Sequence, residues 1–138
     1  MNSEAKPRPV PRPDAESEPF WSAAREGRLL VQECSSCGHR QLYARAHCLA
    51  CRGSVDWVVA SGRGTVYSFT VIRQNMSRSF RHLVPYVVAL VDLEEGPRLM
   101  TNIVGCPPEQ VQIGSAVRVR FDAVSDEIAL PFFELDSA

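Results

Sequence analysis

The second half of the chain alternates between apolar and polar residues in the way that β-strands do. Apolar, β-branched and aromatic residues dominate five short stretches after Trp57. The predicted strands are 65–72, 86–93, 98–104, 116–121 and 128–135. Pro131 interrupts the last of them, which predicts an edge strand because proline cannot donate a hydrogen bond to a sheet. A single helical turn is predicted over 107–111.

Five strands with a helical turn between the third and the fourth match the order of an OB-fold barrel. An SH3-like barrel and an open sandwich are also consistent with this pattern. The chain is therefore predicted to be mainly β, with a five-stranded OB-fold domain over 57–138.

Ahead of the strands, the pattern predicts one short N-terminal helix within 14–28. Phe20, Ala23 and Ala24 have the spacing of one helical face, and Gly27 can end the helix. The stretch before it, 1–13, has proline at every second position from residue 7 and favours extended chain. This proline-rich tail is either untethered or docks along a partner.

Residues 29–56 contain little aliphatic sequence but two Cys-x-x-Cys pairs, ten residues apart. Two thiolates three positions apart can reach one metal ion from a tight turn, and two such turns complete a tetrahedral shell. A glycine shortly after each pair permits the positive φ that such a turn needs. The sequence therefore predicts a structural Zn²⁺ site, with the ligands Cys34, Cys37, Cys48 and Cys51. Iron in the same cage, redox dithiols and plain core cysteines are the alternatives.

Four thiolates fill the zinc shell and leave no position for water or substrate, so the predicted metal is structural. His39 and His47 lie beside the pairs, but four cysteines in register make them unnecessary as ligands. Cys106 stands apart and is expected to be an inert buried thiol. No Ser/His/acid arrangement and no phosphate-binding glycine loop is present in the sequence, so no catalytic residue is predicted.

The charge balance argues against nucleic acid as a partner. Fifteen basic and sixteen acidic residues give a net charge of −1, and four thiolates with one divalent cation lower it by two more units. Proteins that bind phosphate backbones usually carry a basic excess. A single-stranded nucleic-acid-binding module is nevertheless the runner-up, with Tyr67, Phe69 or Tyr86 as stacking platforms. Without an apolar leader or spanning segment, we expect a cytoplasmic protein that binds no membrane.

The segment 73–82 joins the first two predicted strands, and in OB-folds this loop often borders the ligand face. Its arginines and apolar residues suit an anionic, partly apolar ligand such as a CoA thioester, or a protein surface. A merely solvated loop is the alternative. The candidate ligand or partner contacts are Phe20, Trp21, Arg73, Arg78, Phe80, Arg81 and His82.

The order of motifs from about residue 14 to 135 resembles a known family. These motifs are Pro19-Phe20-Trp21, Cys34-x-x-Cys37-Gly38, Cys48-x-x-Cys51, Ser61-Gly62-Arg63-Gly64-Thr65-Val66-Tyr67-Ser68, Pro85-Tyr86-Val87-Val88-Ala89-Leu90-Val91 and Gly96-Pro97-Arg98-Leu99. In this order they resemble the acyl-CoA-associated zinc-ribbon/OB-fold proteins, first catalogued as a domain of unknown function.

The resemblance implies a rubredoxin-like zinc ribbon followed by an OB-fold, in a non-catalytic accessory subunit. Family members pair with thiolase-like large subunits, either thiolases or lipid-transfer-protein-like aldolases, in lipid metabolism that includes steroid degradation. The large subunit supplies the catalytic residues, while the small one stabilises it and helps shape the CoA-thioester site. The resemblance thus implies a hetero-oligomer with an acyl-CoA as shared ligand. A free-standing acyl-CoA-binding enzyme is a third hypothesis, but it lacks a catalytic set.

Overall fold

The computed structural model describes residues 6–136, so the first five residues of the expected tail lie outside the described part of the chain. The elements in chain order are α1 (Glu18–Arg25), β1 (Leu30–Cys34), β2 (Arg40–Gln41), β3 (Val55–Val59), β4 (Arg63–Ile72), β5 (Tyr86–Leu93), β6 (Arg98–Val104), β7 (Ala116–Ala123) and β8 (Ala129–Leu135). Short 3₁₀ helices occupy Arg81–Leu83 and Pro108–Gln110, the second within the predicted helical turn. Within the described range, no helix has the length and apolar character needed to cross a membrane.

The first sheet is a small antiparallel ribbon with β1 in the middle. β2 pairs with β1 at only two positions, where Gln32 faces Gln41 and Glu33 faces Arg40. β3 pairs along the whole of β1. The two cysteine pairs lie in the turns that lead out of and back into this sheet. The boundary expected between residues 56 and 57 falls inside β3.

The second sheet closes into a barrel with the strand order β4-β5-β6-β8-β7, and β7 returns to β4. This order confirms the predicted five-stranded OB-fold barrel. Burial alternates strictly along β5, where every second residue points into the barrel. A bulge in β4 between Val66 and Ser68 shifts the register against β5. Such bulges bend a strand and increase its twist, as a small closed barrel requires.

The predicted edge position of the last strand is wrong. β8 pairs with β7 over its full length and also with β6, in parallel, through Ile103↔Phe133 and Val104↔Glu134. Pro131 is tolerated because it lies before this short parallel stretch, where β6 forms no ladder with β8. There the Thr101 hydroxyl donates to the Pro131 carbonyl at 2.8 Å. The barrel is closed, but a gap separates β6 from the first half of β8.

Ribbon and barrel share one hydrophobic core. Leu29 and Val31, which flank or belong to β1, are buried in the same cluster as Val66, Val91 and Phe133 of the barrel. α1 buries Ala23 and Ala24, and Phe20 packs at the edge of this cluster. The orientation of the ribbon is therefore fixed by packing against the barrel.

The proline-rich segment is not an untethered tail in the part that the structure describes. The Lys6 N–H donates to the Arg78 carbonyl at 3.0 Å, and the Ser79 hydroxyl donates to the Pro7 carbonyl at 3.0 Å. The partner in both contacts is the loop between β4 and β5 of the same chain. An extended segment has unpaired backbone groups, and here the loop satisfies some of them.

We expect Phe133→Ala to lower the free energy of unfolding by about 3–5 kcal/mol, because this fully buried ring fills the centre of the barrel. Phe132→Ala is the matched control, since the neighbouring side chain points to the other face of β8 and is only half-buried. Urea denaturation of both variants measures the difference. Equal losses for the two variants would contradict this account of the core.

Candidate metal centre and adjoining clefts

The four cysteine sulfurs of the ribbon converge on one point. All four Sγ atoms lie within 4.8 Å of one another, with 3.5 Å between Cys34 and Cys51 and 3.7 Å between Cys37 and Cys48. A tetrahedral zinc ion with Zn–S bonds of about 2.3 Å needs sulfurs about 3.8 Å apart. The cluster therefore suits zinc binding. Within residues 6–136, neither His39 nor His47 belongs to this donor group.

Backbone N–H groups point at the sulfurs from both turns. In the first turn, the N–H groups of Ser36 and Cys37 donate to Cys34 Sγ at 3.3 and 3.4 Å. In the second, Ala50 N–H donates to Cys48 Sγ at 3.3 Å and Gly53 N–H to Cys51 Sγ at 3.4 Å. Donors at these positions stabilise thiolate, which is the form that binds metal.

The two turns reach the same conformation with different residues. Gly38 follows the first pair with φ +78°, as predicted, but the positive φ after the second pair belongs to Arg52, at +66°. The prediction of a positive-φ glycine is therefore wrong for the second turn. Gly53 is needed for space instead, since a Cβ there would lie 3.2 Å from both Cys34 Sγ and Cys51 Sγ.

The thiols of the cluster differ in acidity. The N–H of Cys37 is the largest influence on Cys34 and lowers the pKa of that thiol to about 6. The Gly53 N–H acts in the same direction on Cys51, but interactions with Cys34 and Cys37 prevail and raise the pKa of Cys51 to about 12. Four thiols this close do not all ionise without a cation among them, so the cluster is electrostatically complete only with a metal ion.

Two buried glutamines hold the loop that leads to the second cysteine pair. Gln32 donates to the Arg45 carbonyl and accepts from the Arg45 N–H, both at 2.9 Å. Gln41 donates to Gln32 Oε1 at 2.9 Å and to the His47 carbonyl at 3.0 Å, and accepts from the Leu49 N–H at 2.9 Å. These amides replace the strand pairing that the loop lacks, which places Cys48 opposite Cys37.

A cleft of about 300 Å³, which we call the first cleft, opens where α1, the ribbon and the gap between β6 and β8 meet. Phe20 and Trp21 line it, with ring centroids 5.1 Å apart in an edge-to-face arrangement. On the opposite side the Tyr43 hydroxyl accepts a hydrogen bond from the Met100 N–H at 2.7 Å. This contact connects the ribbon to the unpaired edge of β6.

A second cleft of about 290 Å³ lies on the neighbouring part of the barrel and is lined by Phe80, Tyr86 and Cys106, among others. Cys106 is separate from the metal cluster but only partly buried, so the prediction of a buried thiol is wrong; its contact with the core still raises the pKa of the thiol. Phe132 and Asn102 line both clefts, so the two are neighbours on the barrel surface.

The structure separates the predicted contact residues into two groups. Phe20 and Trp21 line the first cleft, and Phe80 lines the second. The arginines of the β4–β5 loop lie outside both: Arg73 approaches Glu109 at 3.9 Å, and Arg81 donates to the Met76 carbonyl at 2.9 Å. The backbone of Arg78 contacts Lys6, and His82 is exposed in the 3₁₀ helix.

The stacking platforms of the nucleic-acid hypothesis do not form one surface. Phe69 packs against the core, while the Arg98 guanidinium covers the Tyr67 ring at 3.4 Å. The Tyr86 hydroxyl accepts a hydrogen bond from Asn75 at 2.8 Å.

Sequence reasoning missed two residues of this region, Arg8 and Tyr43. Arg8 lines both clefts, although it lies in the proline-rich segment. Tyr43 reaches across to β6 from the end of a two-residue strand. An aromatic residue close to the cysteine pairs was the one sign in the sequence that Tyr43 makes a contact. Its partner could not be predicted, because Met100 is 57 residues away in the sequence.

Residues 21–57 match the model of the ChsH2 rubredoxin-like zinc ribbon domain, and residues 57–122 match that of the ChsH2 C-terminal OB-fold domain. A DUF35 domain-containing scaffold protein of Methanothermobacter thermautotrophicus is 37% identical over 101 residues, which cover 72% of this chain and 75% of that protein. The chain belongs to the DUF35 family.

This DUF35 chain is also similar to part of a longer protein and to one chain of a solved aldolase. A probable enoyl-CoA hydratase alpha subunit of Thermomonospora curvata is 40% identical over 95% of this chain. The match spans 42% of that protein's own length. A chain of the solved Ltp2-ChsH2(DUF35) aldolase superposes with a TM-score of 0.81 and 35% identity, covering 91% of this chain and 98% of that one.

We expect Cys48→Ser to abolish stoichiometric zinc binding and to lower the thermal unfolding temperature, because three thiolates leave the tetrahedral shell incomplete. Cys106→Ser is the matched control and keeps its zinc, since this thiol lies outside the cluster. Elemental analysis of the purified proteins measures the metal. Full zinc occupancy in Cys48→Ser would rule out the four-cysteine shell.

Gln41→Leu should lower the free energy of unfolding by about 2–4 kcal/mol and weaken zinc retention, because the buried Gln32 side chain and two part-buried backbone groups lose their partners. Gln112→Leu changes an exposed glutamine in the same way and serves as control. Urea denaturation, together with zinc release to a chelator, tests both properties. If the two variants behave alike, the amide network does not position the second turn.

Proposed function

We propose that this chain is the non-catalytic, zinc-binding subunit of a thiolase-superfamily acyl-CoA enzyme complex, with a thiolase or a lipid-transfer-protein-like aldolase as its large subunit. The observation that carries the proposal is the similarity to the DUF35 chain of the Ltp2-ChsH2(DUF35) aldolase, over nearly the full length of that chain. The Thermomonospora curvata relative, a probable enoyl-CoA hydratase alpha subunit, associates a similar sequence with CoA thioester chemistry as well.

In this proposal Cys34, Cys37, Cys48 and Cys51 hold a structural Zn²⁺. The ion supplies no reaction chemistry, because four thiolates complete its shell. Its role is to cross-link two turns of the ribbon, the first of which leads into a strand that pairs at only two positions. The fixed ribbon in turn positions Tyr43 and one wall of the first cleft.

The clefts support an accessory role rather than an enzymatic one. Among the described residues, no carboxylate, imidazole or thiol lines the first cleft, and its three hydroxyl groups, those of Ser17, Tyr43 and Thr101, are each hydrogen-bonded to a backbone group. The thiol in the second cleft, Cys106, has a raised pKa, which disfavours the reactive thiolate. Turnover is accordingly assigned to the partner subunit.

The surface proposed to face the partner consists of the first cleft and the β4–β5 loop, 73–82. The cleft offers aromatic side chains, while the loop offers the exposed arginines Arg73 and Arg81. Aromatic and arginine side chains are enriched at protein interfaces, and arginine also binds the phosphates of a CoA thioester. The acyl-CoA would then be shared between the subunits, at the edge of the partner's active site.

Co-expression with a thiolase-like or aldolase-like subunit from the same organism tests the proposal. The two chains should co-elute, and deletion of this chain should lower the partner's acyl-CoA turnover at least tenfold. Arg81→Glu should weaken co-elution by removing an interfacial charge, while Arg63→Glu, at the other end of β4, should not. A stable partner that is fully active alone, or turnover by this chain alone, would refute the accessory role.

A further inference from the structure

The proline-rich segment places a cation at the border of the two clefts. The Arg8 guanidinium carbon lies 5.2 Å from the centre of the Phe80 ring and 5.2 Å from the centre of the Phe132 ring. Both distances are within the range of cation–π contacts. The backbone contacts of Lys6 and Pro7 with the β4–β5 loop hold the segment in this position.

Arg8 is the single charged side chain, among residues 6–136, that lines either cleft. Within the same residues, no carboxylate comes within 4 Å of its guanidinium. A guanidinium that contacts aromatic rings through its faces still offers N–H donors along its edge. The positive charge therefore has aromatic neighbours but lacks an anionic partner.

The first cleft supplies the apolar half of a binding site beside this cation. Its walls are mainly aromatic and aliphatic, with Phe20, Trp21, Leu99 and Phe132 among them. Its volume of about 300 Å³ is at the lower end of the roughly 300–1,000 Å³ that small-molecule sites occupy. An apolar cavity with one charged group at its rim is complementary to a molecule with an apolar body and an anionic end.

We propose that the first cleft binds a soluble anionic amphiphile, with its carboxylate or phosphate on the Arg8 guanidinium and its apolar chain between α1 and the gap beside β6. The site is formed by this chain alone. The inference rests on the proposed function in one respect, since the first cleft is also part of the surface assigned to the partner subunit. The binding experiment uses this chain alone, so failure of the ligand site and failure of the partner assignment are distinguishable.

The test uses the zinc-loaded full chain with Trp57→Phe, so that Trp21 in the cleft is the remaining tryptophan. Decanoate and decyl phosphate are titrated while the Trp21 emission is recorded, with decan-1-ol as the uncharged probe. We expect saturable binding of both anions and about tenfold weaker binding of the alcohol, because it lacks the charge-assisted hydrogen bond.

Four variants separate charge, cleft and fold. Arg8→Gln should weaken decanoate binding about tenfold without affecting decan-1-ol, while Arg12→Gln, an exposed arginine of the same segment, should change neither. Ala44→Phe should abolish binding by filling the first cleft, and Val104→Phe, in the second cleft, should leave it intact. Zinc content and thermal unfolding verify that each variant is folded. If Arg8→Gln does not fold, Arg8→Lys is used in its place, and it should retain most of the affinity for decanoate.

Several results would overturn the proposal. These are an unchanged Trp21 emission, equal affinity for decanoate and decan-1-ol, or equal loss of binding in Arg8→Gln and Arg12→Gln. Arg8-dependent sedimentation with phosphatidylglycerol vesicles, without binding of free decanoate, would also overturn it by assigning the cation to a lipid surface.

Discussion

The convergence of four sulfurs is the constraint on which the ribbon depends. β2 has two residues and pairs with β1 at two positions, which is too little to hold a loop of this length by itself. The turns carrying Cys34 and Cys48 nevertheless bring their sulfurs within 4.8 Å of each other. A metal ion at that point holds together four thiolates that would otherwise repel one another, and in small metal-binding domains such binding energy is folding energy.

The effect of this cross-link extends beyond the ribbon. The side chains of Gln32 and Gln41, which belong to β1 and β2, hold the loop around Cys48 through hydrogen bonds to its backbone. Tyr43, which follows β2, contacts the backbone of β6. One wall of the first cleft is thus built on the ribbon and the other on the barrel. The shape of the first cleft therefore depends on the contacts that join the ribbon to the barrel.

Local patterns predicted the parts of this structure that local sequence determines. The cysteine spacing predicted four converging sulfurs, which the structure contains, and alternating apolar residues predicted the five barrel strands. The missed features depend on contacts between distant residues. The parallel pairing of β8 with β6 is non-local, and so is the contact of Arg8 with Phe132, more than 120 residues away. The positive φ of Arg52 escaped prediction because Gly53 offered a more obvious candidate.

The position of residue 57 has a consequence for how such a protein can be recombined. The two family models meet at this residue, yet it lies in the middle of β3, and Val31 of the neighbouring strand is buried together with barrel residues. Splitting the gene at this position would cut β3 in two and expose the hydrophobic core that ribbon and barrel share. Recombination that preserves the fold is therefore expected to keep the residues on both sides of position 57 together as one unit.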